Sequence, residues 1–94
     1  MAYSLEFHPK AYKELKKLDD ATATFILRSL KEFIENFDEG YEAELIKTGK
    51  IKPLKRAWKG FYRLRLRSYR VIYEKIDERL VVLVLRIAHS KVVY

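Results

Sequence analysis

A chain of 94 residues in which 49% are hydrophobic is sized for one packed domain and is too apolar for a disordered segment. It has no cysteine, which excludes a disulfide framework and a thiolate zinc site. The net charge of +7 is unevenly spread: residues 1–47 carry net −3, residues 48–94 carry net +10, and nine basic residues but no acidic one lie between Lys50 and Arg70.

So localised a positive field attracts nucleic acid or an acidic protein. The first eight residues, Met1 to His8, lack the basic and apolar regions of a secretory signal. The longest apolar run, Leu80 to Leu85, is strand-sized and too short to span a bilayer. A soluble cytoplasmic protein without a membrane segment is therefore expected.

Tyr3 to His8 alternates as a short first strand does. Pro9 suits the first position of a helix, where its missing N–H costs nothing. Ala11, Tyr12, Leu15 and Leu18 then recur at helical spacing. Asp19-Asp20 breaks that helix, and either aspartate can cap a second one with the apolar stripe Ile26, Leu30, Phe33, Ile34 and Phe37. The short junction implies a helical hairpin. Gly40 is expected to end the second helix or open the following loop. Residues 38 to 53 lack a strong period, although Glu42 to Ile46 suits a helical turn.

Three strands are predicted next: Phe61–Leu66, Tyr69–Ile76 and Leu80–His89, with Asp77-Glu78-Arg79 as the second turn. The last is apolar on both faces from Leu80 to Leu85 and should be central. The predicted fold class is α+β, a helical hairpin packed on a small antiparallel sheet in the order β-α-α-β-β-β, forming a single domain over residues 1–94.

Apolar and basic residues alternate through the first of these strands, which puts Arg63, Arg65 and Arg67 in one row. With Arg67 and Ser68 as the turn, Leu66 pairs with Tyr69, Arg65 with Arg70 and Arg63 with Ile72. Facing arginines cost stability unless an anion lies between them. Guanidinium forks match phosphate oxygens and stay charged, so the cluster reads as a phosphate cradle. The alternative is that Glu74, Asp77 or helix carboxylates neutralise it. Three acids in the second half cannot balance thirteen bases. Lys50, Lys52, Lys55, Arg56, Lys59, Arg67 and Arg86 extend the candidate nucleic-acid-binding surface. His89 and Tyr94 are candidates for proton transfer and Lys91 for a phosphate contact. His8 and His89 are the only histidines and have no metal-ligand spacing. Neither a metal nor a cofactor is expected.

The pattern Leu54-Lys55, Gly60, Tyr62-Arg63-Leu64-Arg65, Tyr69-Arg70-Val71-Ile72-Tyr73, a Val/Leu-rich strand, His89 and Val93-Tyr94 resembles the RelE/ParE toxin superfamily. Leu15-Lys16-Lys17-Leu18 in the first helix fits too. The resemblance covers nearly the whole chain. It implies the toxin of a toxin–antitoxin pair, a ribosome-dependent endoribonuclease in which the 2′-OH attacks the adjacent phosphate of mRNA. By position, Arg63 and Arg65 would orient phosphate and stabilise developing charge. Arg70 would neutralise the pentacoordinate phosphate, and Tyr94 would stack on a base or move a proton. Members of that group usually show His-Arg-Lys where this chain has His89-Ser90-Lys91, so one expected guanidinium is absent. Arg56, and Arg67-Ser68 where Gly-Asp is common, depart from the pattern as well.

The rival implied function is a ParE-like toxin that binds DNA gyrase and is no nuclease. A third is a nucleic-acid-binding module without catalysis. The expected partners are a cognate antitoxin with an acidic or amphipathic segment, mRNA and the ribosome, with a homodimer only through the antitoxin complex.

Overall fold

The computed structural model of the chain describes residues 2–91. Strand β1 (Ser4–Phe7) leads into helices α1 (Pro9–Lys16), α2 (Asp20–Glu35) and α3 (Glu39–Lys47). Strand β2 (Ile51–Pro53) follows, then β3 (Phe61–Leu66), β4 (Tyr69–Ile76) and β5 (Val81–His89). The α+β class and the three predicted long strands are present. A third helix and a three-residue edge strand occupy the stretch without a strong period.

Each helix start has a chemical cause. The imidazole Nδ1 of His8 accepts from the Lys10 N–H at 3.1 Å, with Pro9 in the first turn. Asp19 caps α2 by accepting from the Thr22 N–H and hydroxyl, at 3.2 and 2.6 Å. Asp38 caps α3 through the Tyr41 N–H at 2.7 Å. Such caps satisfy backbone donors that have no partner within the helix. The Asp38 cap also corrects the expectation for Gly40. This glycine lies in the first turn of α3, while α2 closes at Asn36, whose side-chain amide donates to the Glu32 carbonyl at 2.8 Å.

The five strands form one mixed sheet in the order β1-β5-β4-β3-β2, with β1 parallel to β5 and all other neighbours antiparallel. Strand β5, apolar on both faces from Val81 to Leu85, is interior, as that two-sided hydrophobicity requires. The helices pack on one face. Ile26, Leu30, Phe33 and Phe37 from α2 join Leu64, Leu66, Val71, Tyr73, Val82, Val84 and Ile87 in a common core. Each fully buried side chain of this kind stabilises the fold by about 1.5–3 kcal/mol.

A register shift between Ile72 and Tyr73 decides what β5 contributes to that core. Ile72 pairs with Arg86 while Tyr73 pairs with Val84, so Leu85 is an extra residue. Strict alternation from Val84 would bring Arg86 to the helix side. The bulge brings Ile87 there instead.

One buried polar cluster fastens α3 to the sheet. Glu42, only 5% exposed, accepts from the Tyr73 hydroxyl at 2.6 Å and from Lys75 Nζ at 2.7 Å. Burial raises the Tyr73 pKa far above its ordinary value, and the hydrogen bond and charge of Glu42 raise it further. For Lys75, desolvation alone would lower the pKa. The Glu42 hydrogen bond and charge outweigh it, so the net shift is upward. Both groups keep their protons and so complete the buried carboxylate's hydrogen bonds.

Candidate functional site

The site grows from the alternation in β3. Leu64 and Leu66 enter the core and Tyr62 packs against it, so Phe61, Arg63 and Arg65 stand on the opposite, helix-free face. The register sets Arg65 directly across from Arg70 and Arg63 across from Ile72. On the other side of β3, Lys52 of β2 stands beside Arg63. The open face therefore carries Lys52, Arg63, Arg65 and Arg70 on three adjacent strands. Beneath them lies an apolar floor: Ile72 is 0% exposed and Ala88, across from Arg70, is buried.

Arg63, Arg65 and Arg70 make no ion pair or side-chain hydrogen bond among the described residues. The neutralising contacts to Glu74 or Asp77 that the sequence allowed do not form. Glu74 lies across from Phe61, at the far end of the row from Arg65. Asp77 accepts from the Tyr3 hydroxyl at 2.6 Å. Such a face can hold a phosphate between the facing forks of Arg65 and Arg70 and can stabilise negative charge developing on it.

Other residues singled out in the sequence go elsewhere. Arg86 is held by Glu14 of α1, with Nε at 3.0 Å and Nη2 at 2.9 Å from the same oxygen. The second Glu14 oxygen accepts from the Ile87 N–H at 2.9 Å. Strand β1 pairs only with Val81 to Val84, so this carboxylate takes up a β5 donor beyond the end of its parallel neighbour. Burial pushes the Glu14 pKa up, but the Arg86 hydrogen bonds, the Ile87 N–H and the Arg86 charge prevail and hold it below its ordinary value.

Arg67 leaves the row. It takes φ 54° at the hairpin turn and lays its guanidinium 3.9 Å from the ring centre of Phe25 on α2. With Lys50, Ser29, Glu32 and Tyr41 it lines a groove of about 310 Å³ on the helix side. His89 pairs with Tyr69, whose ring packs against the core, and the two rings meet edge to face at 5.3 Å. His89 thus sits at the rim of the helix side, across the sheet from the open-face arginines. Its Nδ1 accepts from the Lys91 N–H at 3.2 Å, so the proton of the neutral ring is on Nε2. Lys91 is exposed, and Tyr94 lies outside the described residues. Lys55, Arg56 and Lys59 are exposed in the loop between β2 and β3.

That loop holds a residue the charge pattern passes over. Trp58 interrupts the basic run and meets Phe61 edge to face at 5.8 Å. The signal in the sequence is a single tryptophan placed among Lys55, Arg56 and Lys59.

Three helices on one face of a mixed five-stranded sheet and a cationic opposite face define a small α+β domain. The model of the ParE toxin of type II toxin–antitoxin systems matches residues 5–94. The mRNA interferase toxin RelE of Escherichia coli K12 is 31% identical over 87 residues, covering 93% of this chain and 82% of that protein. Among solved structures, the intact E. coli RelBE toxin–antitoxin complex aligns at TM-score 0.68 and 30% identity, over 97% of this chain and 100% of that one. The Mycobacterium tuberculosis RelBE2 complex aligns at TM-score 0.66 and 28% identity, over 95% and 99%. The archaeal RelE–RelB complex of Pyrococcus horikoshii, at 24% identity and TM-score 0.70 over 99% and 100%, shares the fold. The chain belongs to the ParE toxin family, within the RelE/ParE superfamily of toxin–antitoxin toxins.

Proposed function

We propose that this toxin is an mRNA interferase, a ribosome-dependent endoribonuclease. The observation that carries the reading is the pairing of Arg65 with Arg70 on an open sheet face, with Arg63 and Lys52 beside them and no carboxylate neutralising the three arginines among the described residues. The likeness to E. coli RelE supports it. In the reaction the ribose 2′ oxygen attacks the adjacent phosphorus and the bond to the 5′ oxygen breaks. The products are a 2′,3′-cyclic phosphate and a free 5′-OH. One proton leaves the 2′-OH and one is delivered to the departing 5′ oxygen. Arg65 and Arg70 clamp the non-bridging oxygens and stabilise the charge that peaks in the transition state. Arg63 and Lys52 hold the neighbouring backbone. Proton transfer falls to the C-terminal residues His89, Lys91 and Tyr94.

The toxin acts in this reading with a cognate antitoxin bearing an acidic or amphipathic segment, which the cationic face would attract. The solved relatives in complex with antitoxins support that partner.

The test is induced expression followed by mapping of mRNA ends. Cuts within codons on translated messages, lost in Arg65→Ala and Arg70→Ala, are expected. Intact mRNA with blocked replication and an SOS response would favour the second reading, a ParE-like gyrase poison. One observation speaks for that reading: His89 lies on the helix side with Tyr69, away from the arginines it would have to assist.

A further inference from the structure

The open face is not chemically uniform along β3. One end is purely cationic, with Arg65 across from Arg70. The other end is aromatic and acidic, with Phe61 across from Glu74. Phe61 is half-buried, is on the same face as Arg63 and Arg65 by alternation, and takes no part in the helix-side core. Trp58, also half-buried and outside that core, packs against it with ring centres 5.8 Å apart and planes at 63°.

The loop that presents Trp58 is shaped for this position. The Leu54 N–H donates to the Phe61 carbonyl at 3.0 Å and closes the loop. The short 3₁₀ turn Arg56–Trp58 then carries the indole back toward the strand. Arg56 at φ 59° and Gly60 at φ 96° supply the two left-handed backbone positions on either side of it. An aromatic surface is thereby held next to the arginine row.

From Phe61 to Arg65 is four residues, roughly 13 Å along an extended strand. Glu74 repels a phosphate at the Phe61 end, whereas its carboxylate accepts hydrogen bonds from the amino groups of a base. A heterocyclic ring therefore suits one end of the row and a phosphate the other. We propose that Trp58 and Phe61 form a stacking ledge for an unpaired base of single-stranded RNA whose backbone continues onto Arg63 and Arg65. This rests on the nuclease reading for the identity of the polymer, and adds a base-contacting subsite to it.

The chain has one tryptophan, so its emission reports on this site alone. Full-length protein is titrated with a short 2′-O-methyl oligoribonucleotide, which binds but cannot be cut. Saturable quenching is expected with this probe, and none with an abasic oligonucleotide or inorganic polyphosphate of matched charge. Stacking on an aromatic ring predicts that Trp58→Leu weakens binding roughly 5- to 100-fold, and that Trp58→Phe retains most of it. Phe61→Leu, which keeps Trp58 as the reporter, should reduce both quenching and affinity. On ribosomes, Trp58→Leu should raise KM for message more than it lowers kcat.

Unchanged emission at saturating oligonucleotide, or equal quenching by polyphosphate, overturns the ledge. The two readings fail separately. Arginine-dependent cleavage without Trp58 quenching sinks the ledge and leaves the nuclease. Base-dependent quenching without cleavage leaves the ledge and removes the nuclease.

Discussion

Arg65 and Arg70 are direct cross-strand neighbours on the open face of the β3–β4 ladder. Like charges so placed destabilise a sheet by up to about 1 kcal/mol, and no carboxylate among the described residues pairs with either. Replacing Arg65 with threonine should therefore raise the melting temperature by a few degrees. The same change should lower mRNA cleavage by about 10²- to 10³-fold, the usual effect of losing one donor to a transition-state oxyanion. Inorganic phosphate should raise the melting temperature of the wild type more than that of the variant. Calorimetry alongside a cleavage assay checks both halves. A variant less stable than the wild type would mean that the pair does not repel in the folded protein.

Glu14 joins α1 to β5 by gripping the Arg86 side chain and the Ile87 N–H together. Glu14→Ala removes a charge-assisted bidentate contact and leaves a backbone donor without its partner, at a cost of about 2 kcal/mol. The pH dependence follows from its lowered pKa. The contribution is present above the ordinary carboxylate pKa of about 4.3 and is lost as pH falls through the folded value, because the unfolded chain binds the proton first. Glu14→Gln should flatten the acid limb of the stability curve. Urea midpoints measured from neutral pH down to pH 3 test this.

How much of this was legible in the residues depends on range. The β3–β4 register followed from local alternation and a two-residue turn, and the observed pairs Leu66–Tyr69, Arg65–Arg70 and Arg63–Ile72 are those expected. The central position of β5 followed from its hydrophobicity on both sides. Helix α3 was less visible. Its only buried residue is Glu42, and a carboxylate is no core signal until Tyr73 and Lys75, some thirty residues on, are brought beside it. Gly40 misled for a related reason: the Asp38 cap overrides its preference as a helix stop. Arg86 read as a surface cation because its partner Glu14 is 72 positions away. Among the site residues, Arg63, Arg65 and Arg70 share a face as alternation demands. His89 does not, since the bulge at Ile72/Tyr73 resets the alternation along β5.

The Glu42 cluster makes an alkaline prediction. The pKa values of Tyr73 and Lys75 are both raised in the fold. Their contributions are thus complete below the unfolded values near 10 and are lost as pH rises above them, because the unfolded chain releases those protons first. Stability should fall steeply above about pH 10. Tyr73→Phe should blunt that fall and lower stability at neutral pH by about 1–3 kcal/mol, since a buried carboxylate oxygen loses its donor. Denaturant midpoints at neutral pH and across the alkaline range would expose a wrong assignment. An unchanged alkaline limb would mean that other tyrosines or lysines control it.

The family resemblance implies an arginine at the position where this chain has Ser90. Its N–H donates to the Ser68 carbonyl at 2.7 Å, which ties the end of β5 to the hairpin turn. Two residues earlier, Ala88 lies across from Arg70. An arginine at position 90 thus starts one short stretch of backbone from the facing guanidiniums and has the length to reach an anion held between them. Ser90→Arg should raise cleavage about tenfold and steepen the salt dependence of RNA binding by about one phosphate contact. It should also lower the melting temperature slightly in the absence of RNA, because it adds a like charge near Arg65 and Arg70. Because the tie to Ser68 is made by the backbone, the side-chain change leaves it in place. A loss of cleavage with the fold intact would mean that the serine itself serves the reaction. No change in cleavage or salt slope would mean that the end of β5 does not reach the phosphate, and the proton transfers would then have to come from another part of the chain or from the ribosome.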